Sequence, residues 1–328
     1  MVTSKTKTLA EKIKIAEGAS ASGDFFLASM HYKDALAMAR DAGDSLSIRK
    51  CKKGVVEMNK KAEASFNKFS VEQTIPDVEI DKVVKSIVRK NIIESLLIVG
   101  MHPHLYPKLK EIKTTAKKNQ PVMLALVSLF TVSQDGHLVK GGSDAECSWF
   151  NKIYSISQGL ISGVYLNRIF EQLEKTGLDE KLLISYLKSS RLFSEESFGI
   201  IEIGISRYFA KDYISSLHIL VPQFESVFLS LSEKLGIDVI ALNRDKEIST
   251  QMKLLSTDRL DAAEFHAVWG EDLCAQLKFV LFDQMGYNLR HNIAHGLIKT
   301  DWCTVEMNRL IIYFYLVVAA RVGVRDAD

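Results

Sequence analysis

The residues best suited to chemistry form one short run, Asn-Leu-Arg-His-Asn-Ile-Ala-His-Gly, at positions 288–296. Arg290 carries a guanidinium fork that can grip a phosphate on two oxygens. His291 and His295 carry imidazoles, which give or take protons near neutral pH. Their i, i+4 spacing places both histidines on one face of a helix, and the long arginine side chain can swing toward the same space. The segment therefore predicts a phosphate-handling site.

We expect this run to form a helix over 289–299, with Asn288 as its N-cap and a break at Gly286. The first turn of such a helix presents free N–H groups and the positive end of the dipole, which attract an anion. Asn288 and Asn292 are candidate supporting residues of the site. The apolar stripe that would anchor the helix in a core consists of Leu289, Ile293 and Leu297.

One reaction suits this equipment well. RNA carries its own nucleophile, the 2′-OH, so that its cleavage needs a base, an acid and stabilisation of a crowded phosphorane. Histidine can serve the proton transfers and arginine the charge without a metal or another cofactor. DNA lacks the 2′-OH and would not be cut by this route.

Two other interpretations of the same residues stay open. An Arg or a His in a helix is usually a capping, surface or satisfied core residue. His291 and His295 also have the H-x-x-x-H spacing of metal ligands, but a metal site needs a third ligand. No Glu follows the first histidine, as it does in H-E-x-x-H enzymes.

Composition indicates a helical protein with a full core. The chain has 328 residues, of which 47% are hydrophobic and 25% charged, with only 5 prolines and 18 glycines. So few turn residues favour long helices, and the predicted fold class is all-α. The formal net charge is +2, so a polynucleotide would have to be attracted by a local patch.

The four cysteines are widely spaced and form no CxxC pair, which argues against a disulfide framework or a zinc ribbon. Met1–Glu17 is rich in lysine and lacks the apolar segment of a signal peptide. The apolar run Leu310–Ala320 is too short to cross a bilayer and predicts a helix buried in a bundle. We expect a cytoplasmic protein without a membrane partner.

Helical periodicity continues along most of the chain, and we place a domain boundary near residue 195. Residues 1–195 would form a helical N-terminal region, and residues 196–328 a bundle of four or five helices. The strongest loop signal is 135–144, whereas 236–268 is mixed and polar with two short helices. The other predicted helices cover 78–99, 104–118, 121–133, 147–174, 178–190, 196–209, 212–235, 270–283 and 302–322.

The N-terminal region resembles a tetratricopeptide-type helical hairpin. In the segment that Asp24 would cap, Ala28, Tyr32 and Ala35 fall at i, i+4 and i+7 on one face. After a 34-residue period the pattern recurs incompletely, so it predicts a helical-hairpin extension rather than a true repeat array.

Lysines recur on one helical face at Lys110, Lys113 and Lys117. Such a stripe could guide an RNA backbone. A charged stripe is more often the solvated face of its helix, and we favour that interpretation.

Four residues separate Arg290 from His295, and the first of them is polar. This spacing resembles the R-x4-H signature of HEPN domains, which are all-helical. The longer match from Gly286 to Gly296 resembles, more narrowly, an uncharacterised bacterial family with the hallmark Arg-Asn-x-x-x-His-Gly. Upstream, residues 208–213 and 220–225 resemble the preceding helices of that family. The resemblance covers roughly residues 200–328.

The resemblance implies a helical bundle that dimerises and brings two such motifs into one cleft. It implies a metal-independent endoribonuclease that leaves a 2′,3′-cyclic phosphate, with an antitoxin or a defence-system protein as a further partner. Arg290 and His295 would be the catalytic pair, with His291 in support, and Glu225 would orient one of them. Phe228 stands where these proteins often carry Arg, which argues against Glu225 as a member of an ion-paired site.

We therefore predict an endoribonuclease that acts on RNA as a homodimer. The alternative is a non-catalytic helical protein that binds RNA or a protein partner. A third possibility is that the motif is structural and that the chain is an assembly scaffold.

Overall fold

A computed structural model describes residues 8–65, 75–120, 130–132, 138–141, 145–190, 195–243, 249–252 and 255–323. The fold is all-α, as the composition predicts, and the described residues add only two short β-hairpins. These residues fall into two compact units. One lies within Met1–Gln73 and Ser128–Ser143, and the other within Thr74–Val127 and Asp144–Asp328.

The described residues of the first unit form three helices in succession, α1 (Leu9–Ala21), α2 (Phe25–Asp41) and α3 (Ser45–Ser65). Short connections between consecutive helices favour antiparallel hairpins. The Asp24 side chain accepts a hydrogen bond from the backbone N–H of Leu27 at 3.0 Å, which confirms its predicted capping role. The unit buries its own small apolar core.

The predicted apolar face of α2 is confirmed, because Ala28, Tyr32 and Ala35 are all buried. A Cβ at Gly54 of α3 would lie 2.8 Å from the Tyr32 ring, so a larger side chain would collide with it. Small residues thus let α2 and α3 approach closely, as in helical hairpins generally. The second period of the pattern extends to residues 66 and 69, which lie outside the described residues.

The first unit also holds a hairpin of β1 (Phe130–Val132) and β2 (Leu138–Gly141), paired antiparallel. The predicted helix over 121–133 is therefore wrong at its end, since a β-branched and aromatic triplet pairs with a second strand there. Residues 121–129 lie outside the described residues. The predicted loop over 135–144 is likewise wrong at 138–141, which form the second strand.

The second unit contains α4–α16 and one more hairpin. Its helices are α4 (Asp77–Ile87), α5 (Ile92–Met101), α6 (Leu109–Lys118), α7 (Ala145–Leu160), α8 (Asn167–Lys175), α9 (Glu180–Ser189), α10 (Glu195–Phe209), α11 (Tyr213–Lys234), α12 (Thr257–Leu260), α13 (Ala263–Trp269), α14 (Glu271–Leu281), α15 (Leu289–Ala294) and α16 (Val305–Gly323). Strands β3 (Ile240–Asn243) and β4 (Ser249–Met252) pair antiparallel. The two short helices expected within 236–268 are α12 and α13, whereas the hairpin between α11 and α12 was not predicted.

No boundary near residue 195 divides this unit. Buried residues of α4–α9 belong to the same hydrophobic core as those of α10–α16. The two regions therefore fold around one core, and the predicted division into 1–195 and 196–328 does not follow the packing. Helices α11 and α16 supply many of the residues of this core, and the run Leu310–Ala320 is buried throughout, as expected.

Two long predicted helices are interrupted. The helix expected over 78–99 divides at residues 88–91, where Asn91 caps α5 by accepting hydrogen bonds from the N–H groups of Ile93 and Glu94. The helix expected over 147–174 contains a π-helical turn, Ile161–Leu166, between α7 and α8. Such turns are uncommon, and they occur often near functional sites.

Among the described residues, α11 is the one helix whose length and apolar composition would suffice to cross a membrane. More than half of its most apolar stretch is buried inside the protein. It includes Phe224 and Phe228, both fully buried. This is the pattern of a core helix.

Candidate functional site

The 288–296 run forms a helix shorter than predicted. α15 has six residues and ends at Ala294, so that His295 follows it as the C-cap. Gly296 has φ +65°, a left-handed conformation that suits glycine. The N–H of Gly296 donates to the carbonyl of Ile293 and that of Leu297 to the carbonyl of Asn292, which is the Schellman arrangement. The glycine thus stops the helix just beyond His295.

The start of α15 also differs from the prediction. Asn288 precedes the helix in a left-handed conformation, with φ 48° and ψ 37°, and its side chain makes no capping hydrogen bond. A capping side chain normally acts from an extended backbone, which explains why the expected N-cap does not form. A helix of six residues also has little dipole, so the predicted anion site at the helix start has no support.

Contacts with α14 and within the segment itself hold residues 286–292 in place. A Cβ at Gly286 would overlap with the backbone carbonyl of Phe279 in α14, so only glycine fits there. The N–H of Tyr287 donates to that carbonyl at 2.9 Å. Asn292 turns back on the same segment, because its Nδ2 donates to the carbonyl of Tyr287 at 3.2 Å. Asn292 is thus a structural support of α15, and Leu289 anchors the helix in the core.

Arg290 is held by an ion pair with Glu225 of α11. Its Nε lies 3.0 Å from Glu225 Oε2, and the other carboxylate oxygen of Glu225 accepts from the N–H of Leu255 at 3.2 Å. The side chains are 33% and 11% exposed, respectively, so the carboxylate is inside and the guanidinium reaches the surface. The argument from Phe228 against such a pair was wrong, because Phe228 packs in the core and Arg290 supplies the cation instead.

The Nε contact leaves the two Nη groups of Arg290, with four N–H donors, free of any other acceptor within the described residues. A guanidinium fixed at one edge and open at the other can present a fork to an anion. The buried carboxylate sets the direction of the arginine, and it also offsets part of its charge.

His291 and His295 lie side by side, as their spacing predicts. Their ring centroids are 4.4 Å apart with an interplanar angle of 47°, and both residues are exposed. Leu297, the third member of the predicted anchoring stripe, is 43% exposed and does not anchor the helix. α15 and the C-cap residue that follows it therefore present two solvent-accessible imidazoles and a partly exposed guanidinium within six consecutive residues.

Within the part of the chain that the structure describes, no third metal ligand joins the histidine pair. Across the described ranges, no group of three or more His, Cys, Asp or Glu residues is placed to hold a metal ion. The four cysteines lie in different places and form no disulfide, and Cys51, Cys274 and Cys303 are buried. Burial raises the pKa of the Cys274 thiol to about 12.

The lysine stripe lies on α6, on the exposed face opposite the buried Ile112 and Ala116. Lys113 Nζ is 4.0 Å from Glu271 Oε1, and Lys110 and Lys113 line a surface cleft of about 710 Å³. All three lysines are exposed, as expected of a solvated face, and RNA contact by them stays a prediction.

Sequence reasoning missed the aromatic residues beside the motif. The Tyr287 ring lies 5.3 Å from that of Phe279 and 5.7 Å from that of Trp302. Burial raises the pKa of the Tyr287 phenol, and a hydrogen bond with Ser162 of the π-helical turn lowers it. No local spacing signal connects these residues, because they come together only through packing.

The chain matches no protein-family model, and comparison with curated proteins and with solved structures gives no significant match. The resemblance to HEPN domains therefore depends only on the motif and on the upstream segments 208–213 and 220–225, and it stays a prediction.

Proposed function

We propose that this protein is a metal-independent endoribonuclease whose site is the 288–296 segment. The observation that carries the proposal is one short segment with two exposed, adjacent imidazoles and an arginine held by a buried carboxylate. A base, an acid and a positive charge are what RNA cleavage through the 2′-OH needs. The proposal includes a cytoplasmic location, where RNA and free thiols are both found.

In the proposed reaction, His295 is general base or acid and Arg290 stabilises the transition-state phosphate. The 2′-oxygen bonds to phosphorus as its proton passes to the base. The bond from phosphorus to the 5′-oxygen breaks as the acid protonates that oxygen. The products are a 2′,3′-cyclic phosphate and a 5′-hydroxyl, and no electron donor or acceptor is consumed. His291 binds or positions the substrate.

Glu225 would be a positioning residue rather than a catalytic one. Because it contacts Nε of Arg290, it fixes the side chain while leaving the Nη groups to meet phosphate oxygens. A prearranged guanidinium contributes more to transition-state stabilisation than a mobile one, since no reorganisation is needed during the reaction.

We further propose that the active form is a homodimer, with an antitoxin or a defence-system protein as a regulatory partner, as the HEPN resemblance implies. One chain offers one Arg290 and one His295, whereas the reaction uses a base and an acid. His291 and His295 together could supply both within one chain. Light scattering of the active fraction tests this point, and a fully active monomer would contradict the composite cleft.

The experiment is cleavage of mixed RNA in excess EDTA by the full chain and by Arg290→Ala and His295→Ala. The matched controls are Arg207→Ala and His104→Ala, since Arg207 is an exposed arginine with a single carboxylate partner and His104 is an exposed histidine. We expect a loss of at least about 100-fold in the first two variants and none in the controls.

Each other outcome rejects the proposal. RNA binding without cleavage would favour the non-catalytic alternative. Cleavage that survives both substitutions would place the active site elsewhere. If both variants fail to fold, as measured by circular dichroism, Arg290→Lys decides, because it keeps the charge but not the fork. A folded Arg290→Lys protein with full activity would identify the role of Arg290 as structural and reject the proposal.

A further inference from the structure

A second pocket of the same unit lies between α6, α7 and α14, with a volume of about 260 Å³. It is a little smaller than the pockets that hold drug-sized ligands, which measure about 300–1,000 Å³. Three aromatic and three acidic residues of its lining carry the argument: Phe150, Tyr154, Phe279, Asp261, Glu271 and Asp283. We call it the α7–α14 pocket.

The aromatic residues of the pocket form a continuous apolar wall. The ring centroids of Phe150 and Tyr154 are 6.1 Å apart, and those of Tyr154 and Phe279 are 4.9 Å apart. Walls of this kind bind flat π-systems, because a planar ring covers them with little loss of conformational entropy.

Tyr154, one of the residues of this wall, carries a buried hydroxyl whose hydrogen-bonding capacity is unmet within the described residues. The residue is only 3% exposed, and within the described part of the chain its hydroxyl has no hydrogen-bond partner. Burial, with Asp272 and Asp283 nearby, raises the pKa of the phenol far above its usual range, so the group stays protonated. A buried hydroxyl without a partner is costly and uncommon, and it calls for an acceptor from a ligand or a water.

The acidic residues of the pocket differ in how far they are neutralised. Asp261 forms an ion pair with Lys278, and Glu271 lies 4.0 Å from Lys113 Nζ. Asp283 has no cation partner among the described residues; its Oδ1 accepts from the N–H of Met285 at 2.8 Å. One backbone contact leaves most of the acceptor capacity of a carboxylate unused. Asp283 can therefore accept from a ligand amino group.

The pocket is joined to the Arg290 segment through its own wall. Phe279 lines the pocket, and its backbone carbonyl accepts from the N–H of Tyr287. Asp283 lines the pocket and shapes the turn at Met285, which leads into α15. A molecule in the pocket therefore contacts the same short stretch of chain, 279–288, that positions the motif.

These features together limit the class of ligand. An anion would meet Asp283, while the two lysines of the lining, Lys113 and Lys278, already have the carboxylates of Glu271 and Asp261 as partners. A divalent cation would find no cluster of three ligands among the described residues. An aliphatic ligand would add no partner for Asp283 beyond the Met285 N–H, and it would leave the Tyr154 hydroxyl without the acceptor that it lacks among the described residues. A planar ring that carries an amino donor beside an acceptor satisfies the wall, the carboxylate and the phenol at once.

We propose that the α7–α14 pocket binds a nucleobase with an exocyclic amino group, guanine before the others, from an RNA strand that is cut at the Arg290 segment. The N1–H and N2–H donors of guanine lie side by side and match one carboxylate, and its O6 accepts from a hydroxyl. The pocket would thus set which nucleotide is cut. This inference rests on the proposed ribonuclease function.

The first test measures binding of guanosine, adenosine, cytidine and uridine to the full chain by calorimetry, with Tyr154→Phe and Asp283→Asn as variants. Guanosine should bind best and uridine, which has no amino group, worst. Tyr154→Phe should weaken guanosine by about 3- to 10-fold, the effect of one hydrogen bond. Asp283→Asn should remove the preference for guanosine over uridine.

The matched controls are Tyr313→Phe and Asp258→Asn. Tyr313 is fully buried, and its hydroxyl has no hydrogen-bond partner among the described residues; Asp258 is exposed, and neither residue lines the pocket. Both control variants should bind guanosine like the parent protein. Equal weakening by Tyr313→Phe, no saturable nucleoside binding, or tighter binding of uridine would overturn the proposal.

The second test separates this inference from the function on which it rests. The cleavage pattern on mixed RNA is compared between the parent protein and Asp283→Asn. A pattern that changes in favour of other nucleotides supports the pocket. An unchanged pattern overturns the pocket and leaves the ribonuclease intact. Nucleoside binding that follows the predicted order, in a protein that cuts no RNA, would retain the pocket as a base-binding site and reject only the ribonuclease.

Discussion

Glu225 and Arg290 are 65 residues apart in the sequence, and they meet with Arg290 Nε 3.0 Å from Glu225 Oε2. Glu225 lies in the middle of α11, a core helix, whereas Arg290 lies on the short α15. The pair therefore attaches the candidate site to the core of the protein. It also explains how an arginine on so short a helix keeps a defined direction.

The first prediction concerns this pair. Glu225→Gln keeps an acceptor for the Leu255 N–H but removes the charge, so we expect the free energy of unfolding to fall by about 1–3 kcal/mol. We expect a value near the lower end of this range, because the Arg290 side chain is one-third exposed and solvent screens its charge. Urea denaturation measures the change, with Glu233→Gln, an exposed acid on the same helix, as the control. Additive effects of Glu225→Gln and Arg290→Ala in a double-mutant cycle would show that the pair contributes nothing.

The second prediction concerns the backbone at Asn288. Because its φ is 48° and its side chain makes no cap, Asn288→Ala should cost about 1 kcal/mol, whereas Asn288→Gly should be close to neutral. Lys211, with φ 61°, is the matched position, where Lys211→Gly should stabilise by up to about 1 kcal/mol. Thermal unfolding of the variants measures both. An Asn288→Ala protein as stable as the parent would mean that the left-handed conformation is not required.

The third prediction concerns Gly286. Since a Cβ there would overlap with the Phe279 carbonyl, Gly286→Ala should destabilise the protein by about 1–3 kcal/mol and disturb the segment leading to α15. Gly199→Ala is the control, because that glycine lies in α10 with open space around it and should gain about 0.5–1 kcal/mol in helix propensity. Denaturant midpoints compare the two, and equal stability of Gly286→Ala with the parent would refute the close contact.

The fourth prediction concerns pH. Burial, and then the nearby His104, lowers the pKa of His102 in the folded protein. The unfolded chain therefore binds a proton more readily, so the stability contributed by neutral His102 is present above its ordinary pKa of about 6.5 and is lost as the pH falls below it. Unfolding free energies between pH 7.5 and pH 5 should show this decrease. The decrease in unfolding free energy should be smaller in His102→Gln. A decrease of the same size in that variant would mean that other groups cause the pH dependence.

Much of the helical architecture could be predicted from periodicity, because residues such as Ala28, Tyr32 and Ala35 recur at spacings that leave one side of a helix apolar. The boundaries at 88–91 and 161–166 could not. The helical pattern resumes directly after the cap at Asn91, and it continues through the π-helical turn at 161–166. The predicted boundary near residue 195 does not follow the packing, because the residues on both sides of it belong to one hydrophobic core. The local sequence does not reveal which helices share a core.

The candidate site was only partly predicted. The His291–His295 contact follows from i, i+4 spacing, which is a local property of the chain. The short α15 follows from left-handed conformations at Asn288 and Gly296, which the helical pattern does not reveal. The Glu225–Arg290 pair depends on how α11 and α15 pack, and no local rule supplies it.

The central claim is that the 288–296 segment cuts RNA through the 2′-OH of the substrate. Cleavage sites are first mapped on an RNA oligonucleotide in EDTA, and the nucleotide on the 5′ side of each cut is then replaced by its 2′-deoxy counterpart. The account predicts ends with a 2′,3′-cyclic phosphate and a 5′-hydroxyl on the RNA, and no cleavage at the deoxy positions. Cleavage at a deoxy position, or a 5′-phosphate end, would contradict it.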